Sequence, residues 1–188
     1  MAAKRGQALR REHLRFHGQR ARGGFLHCFV LDCSGSMLAS LALIKGLLRQ
    51  LIQRAYQQRA QIAIIGFAGL GANLHLDVSS ARPLTSRALD DWLQRLQAGG
   101  GTPLDAGTRE AAAVLGRAAR ANPAQQRWLW LFTDGRCDDL PTPPDAADVR
   151  IVVDCERQRV ALGRCLALAR QWRADYCTPE DLLDETSA

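Results

Sequence analysis

Asp32, Ser34 and Ser36 place three short oxygen-bearing side chains within five residues, with Gly35 between the serines. A hard divalent ion such as Mg2+ takes oxygen ligands in a tight octahedron, and short side chains on a sharp turn can converge on one point with few rotamers to freeze. The spacing outlines a cation site. Both hydroxyls are neutral, so an ion held there would keep net positive charge and could accept a carboxylate from outside, as a binding device does and a closed structural cage does not. The same three residues, taken alone, also fit a strand-to-helix turn capped by a serine.

The elements that would position this turn are legible on either side of it. Phe25 to Leu31 are apolar apart from His27, which suits a strand buried on both faces of a parallel sheet and ending at Asp32. Residues 38–58 carry Leu38, Leu41, Ile44, Leu47, Leu48, Leu51 and Ile52 at helical spacing, an amphipathic helix packed on that sheet. Gln61 to Phe67 reads as a second buried strand, and Asn73 to Val78 as a half-exposed antiparallel edge strand reached through a glycine-rich turn. A helix capped by Ser86 runs to about Gln97, and a glycine run leads to Thr102 and a helix from Pro103 to about Arg120. Strands at Trp128 to Thr133 and Val149 to Asp154, a helix from Val160 to Trp172, a short strand from Ala174 to Cys177 and a turn of helix from Pro179 to Leu183 complete the pattern. Strands alternating with helices predict an α/β fold: a doubly wound, mostly parallel sheet with one antiparallel edge strand and helices on both faces. Ligands of such sheets bind beyond the carboxyl ends of the strands, where strand order reverses. The Asp32 turn follows a strand end, and so does Thr133-Asp134-Gly135, so both loops are expected at that surface.

Asp32-x-Ser34-x-Ser36, followed downstream by Gly99-Gly100-Gly101-Thr102-Pro103-Leu104 and Thr133-Asp134-Gly135, resembles the metal-ion-dependent adhesion site of von Willebrand factor A domains. The resemblance runs from about Arg22 to the C-terminus. It implies that Thr102 supplies the second loop and Asp134 the third, giving a metal set of Asp32, Ser34, Ser36, Thr102 and Asp134 around Mg2+ or Mn2+, with no catalytic residue. Ser34, Ser36 and Thr102 would contribute oxygens directly, and the two aspartates mainly through water. The longer stretches Phe29 to Met37, Gly99 to Leu104, Leu131 to Arg136 and Val152 to Glu156, followed by Leu162-Gly163, resemble the C-terminal domain of the magnesium chelatase D subunit and its cobaltochelatase relatives. That resemblance implies an AAA+ ATPase as partner, a large chelatase subunit nearby and a partner carboxylate completing the coordination. It also implies a non-catalytic part in metal insertion into a tetrapyrrole. The ATPase-like domain and acidic, Pro-rich linker of a D subunit have no counterpart here, so a stand-alone version is expected, and an adaptor for an unrelated AAA+ remodelling machine is the alternative.

Composition narrows the classes of function. The 188 residues carry 47% apolar content, enough for one core, and no apolar run has the length of a membrane span or a signal peptide, so a cytoplasmic protein is expected. Residues 1–24 hold seven basic residues against Glu12 and so account for the whole net charge of +6; the remaining residues balance at 18 against 18. The basic character belongs to an N-terminal arm at 1–24, ahead of a domain at 25–188, and implies no specific nucleic-acid surface on the domain. The six cysteines include no C-x-x-C pair and read as reduced, although Cys33 and Cys137 flank the proposed loops. Gly66, Gly69 and Gly71 precede a strand rather than a helix, which argues against a dinucleotide fingerprint, and Gly99 to Thr102 lacks the Gly-Lys-Ser/Thr ending of a phosphate loop. A phosphatase of the haloacid-dehalogenase type would need an aspartate where Ser34 stands. His13 and His17 lie in the arm without an acidic or cysteine partner. Asp32 is expected on a surface loop, where its loss would leave the fold intact.

Overall fold

The computed structural model describes residues 23–69, 71–76, 90–91, 93–94, 96–137, 140–157 and 162–186. The basic arm with His13 and His17, the Ser86 cap and the end of the predicted edge strand at Val78 lie outside them. Six strands form one sheet: β1 (Phe25–Asp32), β2 (Gln61–Ala68), β3 (Gly71–Leu76), β4 (Gln126–Thr133), β5 (Val149–Asp154) and β6 (Asp175–Cys177). Their order is β3-β2-β1-β4-β5-β6. All neighbours are parallel except β2 and β3, which form the predicted antiparallel hairpin at one edge. Sequence order reverses between β1 and β4, so the crevice beyond their carboxyl ends is where a ligand of this architecture is expected.

Alternate residues of β1 feed two cores. Phe29 and Leu31 pack with Trp130, Phe132 and Val153 under α1 (Leu41–Gln57). Leu26, Cys28 and Val30 pack on the other face with Leu129, Leu131 and Val152, under α2 (Leu104–Ala121) and α3 (Arg164–Trp172). A last helix, α4 (Pro179–Thr186), sends Leu182 to the α1 side. Helices therefore cover both faces, and β1 is buried from Leu26 to Asp32 because each face has its own apolar cover. Among the described residues no helix is long and apolar enough to cross a membrane.

Four helix boundaries differ from the sequence pattern. The helix predicted from residue 38 begins only at Leu41, because Gly35–Ala39 forms a tighter 3-10 turn. Leu38, placed in the apolar stripe by its spacing, is 69% exposed as a result. The helix predicted from Val160 starts at Arg164, after Gly163 adopts φ 65°, and Leu162 is exposed outside it. The predicted final turn of helix extends to Thr186, since Thr178 and Asp181 cap it reciprocally: Thr178 N–H donates to Asp181 Oδ2 at 2.8 Å and Asp181 N–H to Thr178 Oγ1 at 3.3 Å. Residues 90–91 and 93–94 are helical and the backbone is non-helical at Leu96, ahead of the predicted end near Gln97.

Candidate metal centre

The end of β1 turns sharply, and the turn is built by Asp32 itself. Its Oδ1 accepts the N–H of Ser34 at 2.9 Å, which folds the chain back over the carboxylate. Its Oδ2 accepts the hydroxyl of Thr133 at 2.7 Å from the end of the adjacent strand β4. Both carboxylate oxygens are thus engaged, and Asp32 is 1% exposed. The surface position expected for Asp32 is corrected accordingly: Asp32, Ser34 and Asp134 are all buried, and of the first loop's donors only Ser36 is exposed. Burial first, and the neighbouring Asp134 carboxylate last, push the Asp32 carboxyl above its usual range, against the pull of its bonds from Ser34 and Thr133.

Ser34 Oγ and Ser36 Oγ share a hydrogen bond across 3.1 Å. Adjacent ligands of an octahedral Mg2+ at 2.0–2.1 Å are separated by about 3 Å, so the two hydroxyls already stand at the spacing of one octahedral edge. The donor set suits such an ion in kind as well: neutral hydroxyls, with two carboxylates close enough for one to raise the other.

The second loop is stitched to the first, and to the turn after β2, through backbone groups. Gly99 N–H donates to the Cys33 carbonyl at 2.8 Å, Gly35 N–H to the Gly100 carbonyl at 3.0 Å, and Gly69 N–H to the Gly101 carbonyl at 3.0 Å. Gly100 has φ 74°, and a Cβ on it would lie 2.8 Å from the Gly69 Cα, so no side chain fits there. Thr102 follows directly, half-buried, and its carbonyl accepts the Leu104 N–H that opens α2. In the third loop the Thr133 hydroxyl accepts the Gly135 N–H at 3.1 Å while donating to Asp32, so one threonine ties two loops together. Asp134 Oδ1 accepts the Arg136 N–H at 3.1 Å, and the Arg136 Nε lies 3.7 Å from Oδ2.

The structure therefore brings Asp32, Ser34 and Ser36 together, holds the backbone ahead of Thr102 against them, and sets Asp134 on the adjacent strand end. Thr133 was not among the residues singled out from sequence. Its signal was a lone hydroxyl closing the apolar strand Trp128 to Phe132, one step beyond the Leu31–Phe132 pairing that aligns β1 with β4. Cys33 and Cys137 are buried, and burial pushes the Cys33 thiol up to about 11 and that of Cys28 up to about 12, which favours their protonated form. His27 and His75 fall inside β1 and β3, as their sequence context indicated.

A family model of the von Willebrand factor type A domain matches residues 28–136, more than half of the chain, and the chain belongs to that family. It is 37% identical over 123 residues to the magnesium-chelatase 67 kDa subunit of Chlorobaculum tepidum, covering 62% of this chain and 18% of that protein. It is 38% identical over 109 residues to the magnesium-chelatase 60 kDa subunit of Rhodobacter capsulatus, covering 57% and 18%. An uncharacterized protein of Mycobacterium tuberculosis is 34% identical over 174 residues, covering 86% of this chain and 27% of that protein. The chain thus spans between 18% and 27% of the length of these relatives. Among solved structures, a von Willebrand factor type A protein from Catenulispora acidiphila superposes with a TM-score of 0.64 at 19% identity, over 88% of this chain and 42% of that one. An aerotolerance-related membrane protein from Bacteroides fragilis superposes at 0.60 and 19% identity, over 88% and 99%. These two likenesses concern the fold alone.

Proposed function

We propose that the chain is a non-catalytic, Mg2+-dependent interaction subunit of an ATP-driven metal chelatase, working with an AAA+ ATPase on metal insertion into a tetrapyrrole. The observation that carries this reading is the pair of serine hydroxyls at octahedral-edge spacing above a buried aspartate, at the switch point of the sheet. Similarity to the magnesium-chelatase subunits supports a chelatase as the client. Ser34, Ser36 and Thr102 would hold the ion through their hydroxyls, with Asp32 and Asp134 acting mainly through bound water. Bound there, Mg2+ or Mn2+ would supply a positive centre for a partner's Glu or Asp. The chain's own part is positional: Asp32 folds the serine turn, Thr133 fixes Asp32, and the glycine loop carries Thr102 to the same rim. A carboxylate from the partner would meet a partly dehydrated charge, where such a pair can be worth a few kcal/mol.

A second reading is an adaptor for an unrelated AAA+ remodelling machine: the similarity to the C. tepidum subunit covers 62% of this chain, whereas that to the uncharacterized M. tuberculosis protein covers 86% and brings no client with it. The test for both is co-purification with an AAA+ ATPase encoded beside the gene, in Mg2+ and in EDTA, with the wild type and a Ser34→Ala/Ser36→Ala variant. Recovery only for the wild type in Mg2+ is expected, and equal recovery in all four conditions would remove the metal from the interface. A large tetrapyrrole-binding subunit joining the recovered complex favours the chelatase; its absence favours the adaptor.

A further inference from the structure

Both oxygens of the Asp134 carboxylate are met by one residue. The Arg136 N–H donates to Oδ1 at 3.1 Å, and the Arg136 Nε stands 3.7 Å from Oδ2. At that second distance the guanidinium is a charge partner rather than a directional hydrogen bond. The Asp134 side chain is 6% exposed and that of Arg136 33% exposed, so a buried carboxylate is paired with a cation at the rim. We propose that Arg136 is a built-in competitor for the divalent ion that doubles as a receptor for the incoming carboxylate: it weakens metal binding to the chain alone and strengthens carboxylate binding to the metal-loaded site. This rests on the reading of the site given above.

The physical argument is one of sign. A positive guanidinium on the carboxylate of Asp134 repels a divalent cation sharing that carboxylate and neutralises part of the charge that would attract it. The same guanidinium attracts an anion arriving at the ion, and its planar fork matches carboxylate geometry. A side chain that merely shaped the loop would change both affinities in the same direction. The loop also has other supports. Cys137 N–H donates to the Gly135 carbonyl at 2.9 Å, Gly135 N–H donates to Thr133 Oγ1, and the Arg164 guanidinium donates to the Cys137 carbonyl. Removal of the Arg136 side chain leaves all three in place.

The experiment is titration calorimetry with Mg2+ on the wild type, Arg136→Ala and Arg136→Lys. It is followed by acetate titrated into the Mn2+-loaded proteins and read by water-proton relaxation. Arg136→Ala is expected to bind Mg2+ about tenfold more tightly and Arg136→Lys to stay within about twofold of wild type. Acetate should bind the loaded Arg136→Ala protein roughly threefold more weakly. Should the alanine variant fail to fold, Arg136→Gln carries the same expectations. If the wild type takes up no Mg2+, the metal-site reading fails and the role of Arg136 falls with it. If the wild type binds and the alanine variant binds Mg2+ equally or more weakly, or acetate as well as the wild type does, the site reading stands and the role of Arg136 alone is overturned.

Discussion

Thr133 donates its hydroxyl proton to Asp32 Oδ2 across 2.7 Å and accepts the Gly135 N–H at 3.1 Å, so a single side chain joins the ends of β1 and β4 and the loop that follows. Thr133→Val keeps the shape and removes both bonds, leaving a buried carboxylate oxygen and a buried amide without their partner. The expected cost is about 2–3 kcal/mol of stability, since hydrogen bonds to charged groups carry more than neutral ones. Mg2+ affinity should fall with it. Thr133→Ser retains both bonds and should stay near the wild type in both measures. Denaturant unfolding and calorimetry check this, and a valine variant indistinguishable from the serine one would remove the bridge from the account.

His27 offers a pH test away from the metal loops. It is 1% exposed, packs against Phe29, Trp128 and Trp130, and accepts the Trp130 indole N–H on Nδ1 at 3.2 Å. Burial lowers its pKa to about 4 from 6.5. Between those values the unfolded chain binds the proton that the folded chain refuses, so stability is fully present above about pH 6.5 and is lost as pH falls towards 4, by up to about 3 kcal/mol. His27→Gln still offers the indole an acceptor but cannot titrate. Its stability should vary less with pH across this window, and urea midpoints that track the wild type at every pH would show that another group governs acid sensitivity.

The doubly wound sheet was legible because β1, β4 and β5 carry short apolar runs broken by few polar residues, a pattern that burial on both faces imposes. The expectation of the Asp32 and Asp134 loops beyond strand carboxyl ends rested on the fold class, and the structure adds that the two strands are neighbours. The 3-10 turn at Gly35–Ala39 was hidden because Leu38 lies at a spacing that also fits a helix; only the fold shows that Ser40, whose hydroxyl donates to the Cys155 carbonyl at 2.9 Å, stands at the true start of α1. The stitching of Gly99 and Gly100 to the first loop, and of Gly101 to Gly69, was equally illegible, since it runs through backbone groups that every residue carries. Gly100 alone left a trace, as a position where no side chain fits. The burial of Asp32 escaped the sequence reading because a polar residue at a strand end is usually at the surface. Here Thr133, from a strand one hundred residues later, makes its burial tolerable.

That burial sets up the last prediction. The Asp32 carboxylate is desolvated and lies near Asp134, both of which disfavour its charge, while the Ser34 N–H and the Thr133 hydroxyl offset part of the cost. Asp32→Asn has nearly the same shape, keeps an oxygen for the Ser34 N–H and lets the Thr133 hydroxyl turn towards its amide, but it carries no charge. The metal-free variant should be at least as stable as the wild type, within about 1 kcal/mol or above it, because an ionised group has left a buried site. Affinity for Mg2+ should fall sharply, since the loss of one of two carboxylates leaves the ion with neutral oxygens and Asp134 alone. Thermal unfolding with and without Mg2+ reads both effects together: the ion should raise the wild-type midpoint and leave that of Asp32→Asn unmoved. A variant that is strongly destabilised without metal would show that the charge of Asp32 holds the fold, and one still stabilised by Mg2+ to the wild-type extent would place the ion elsewhere.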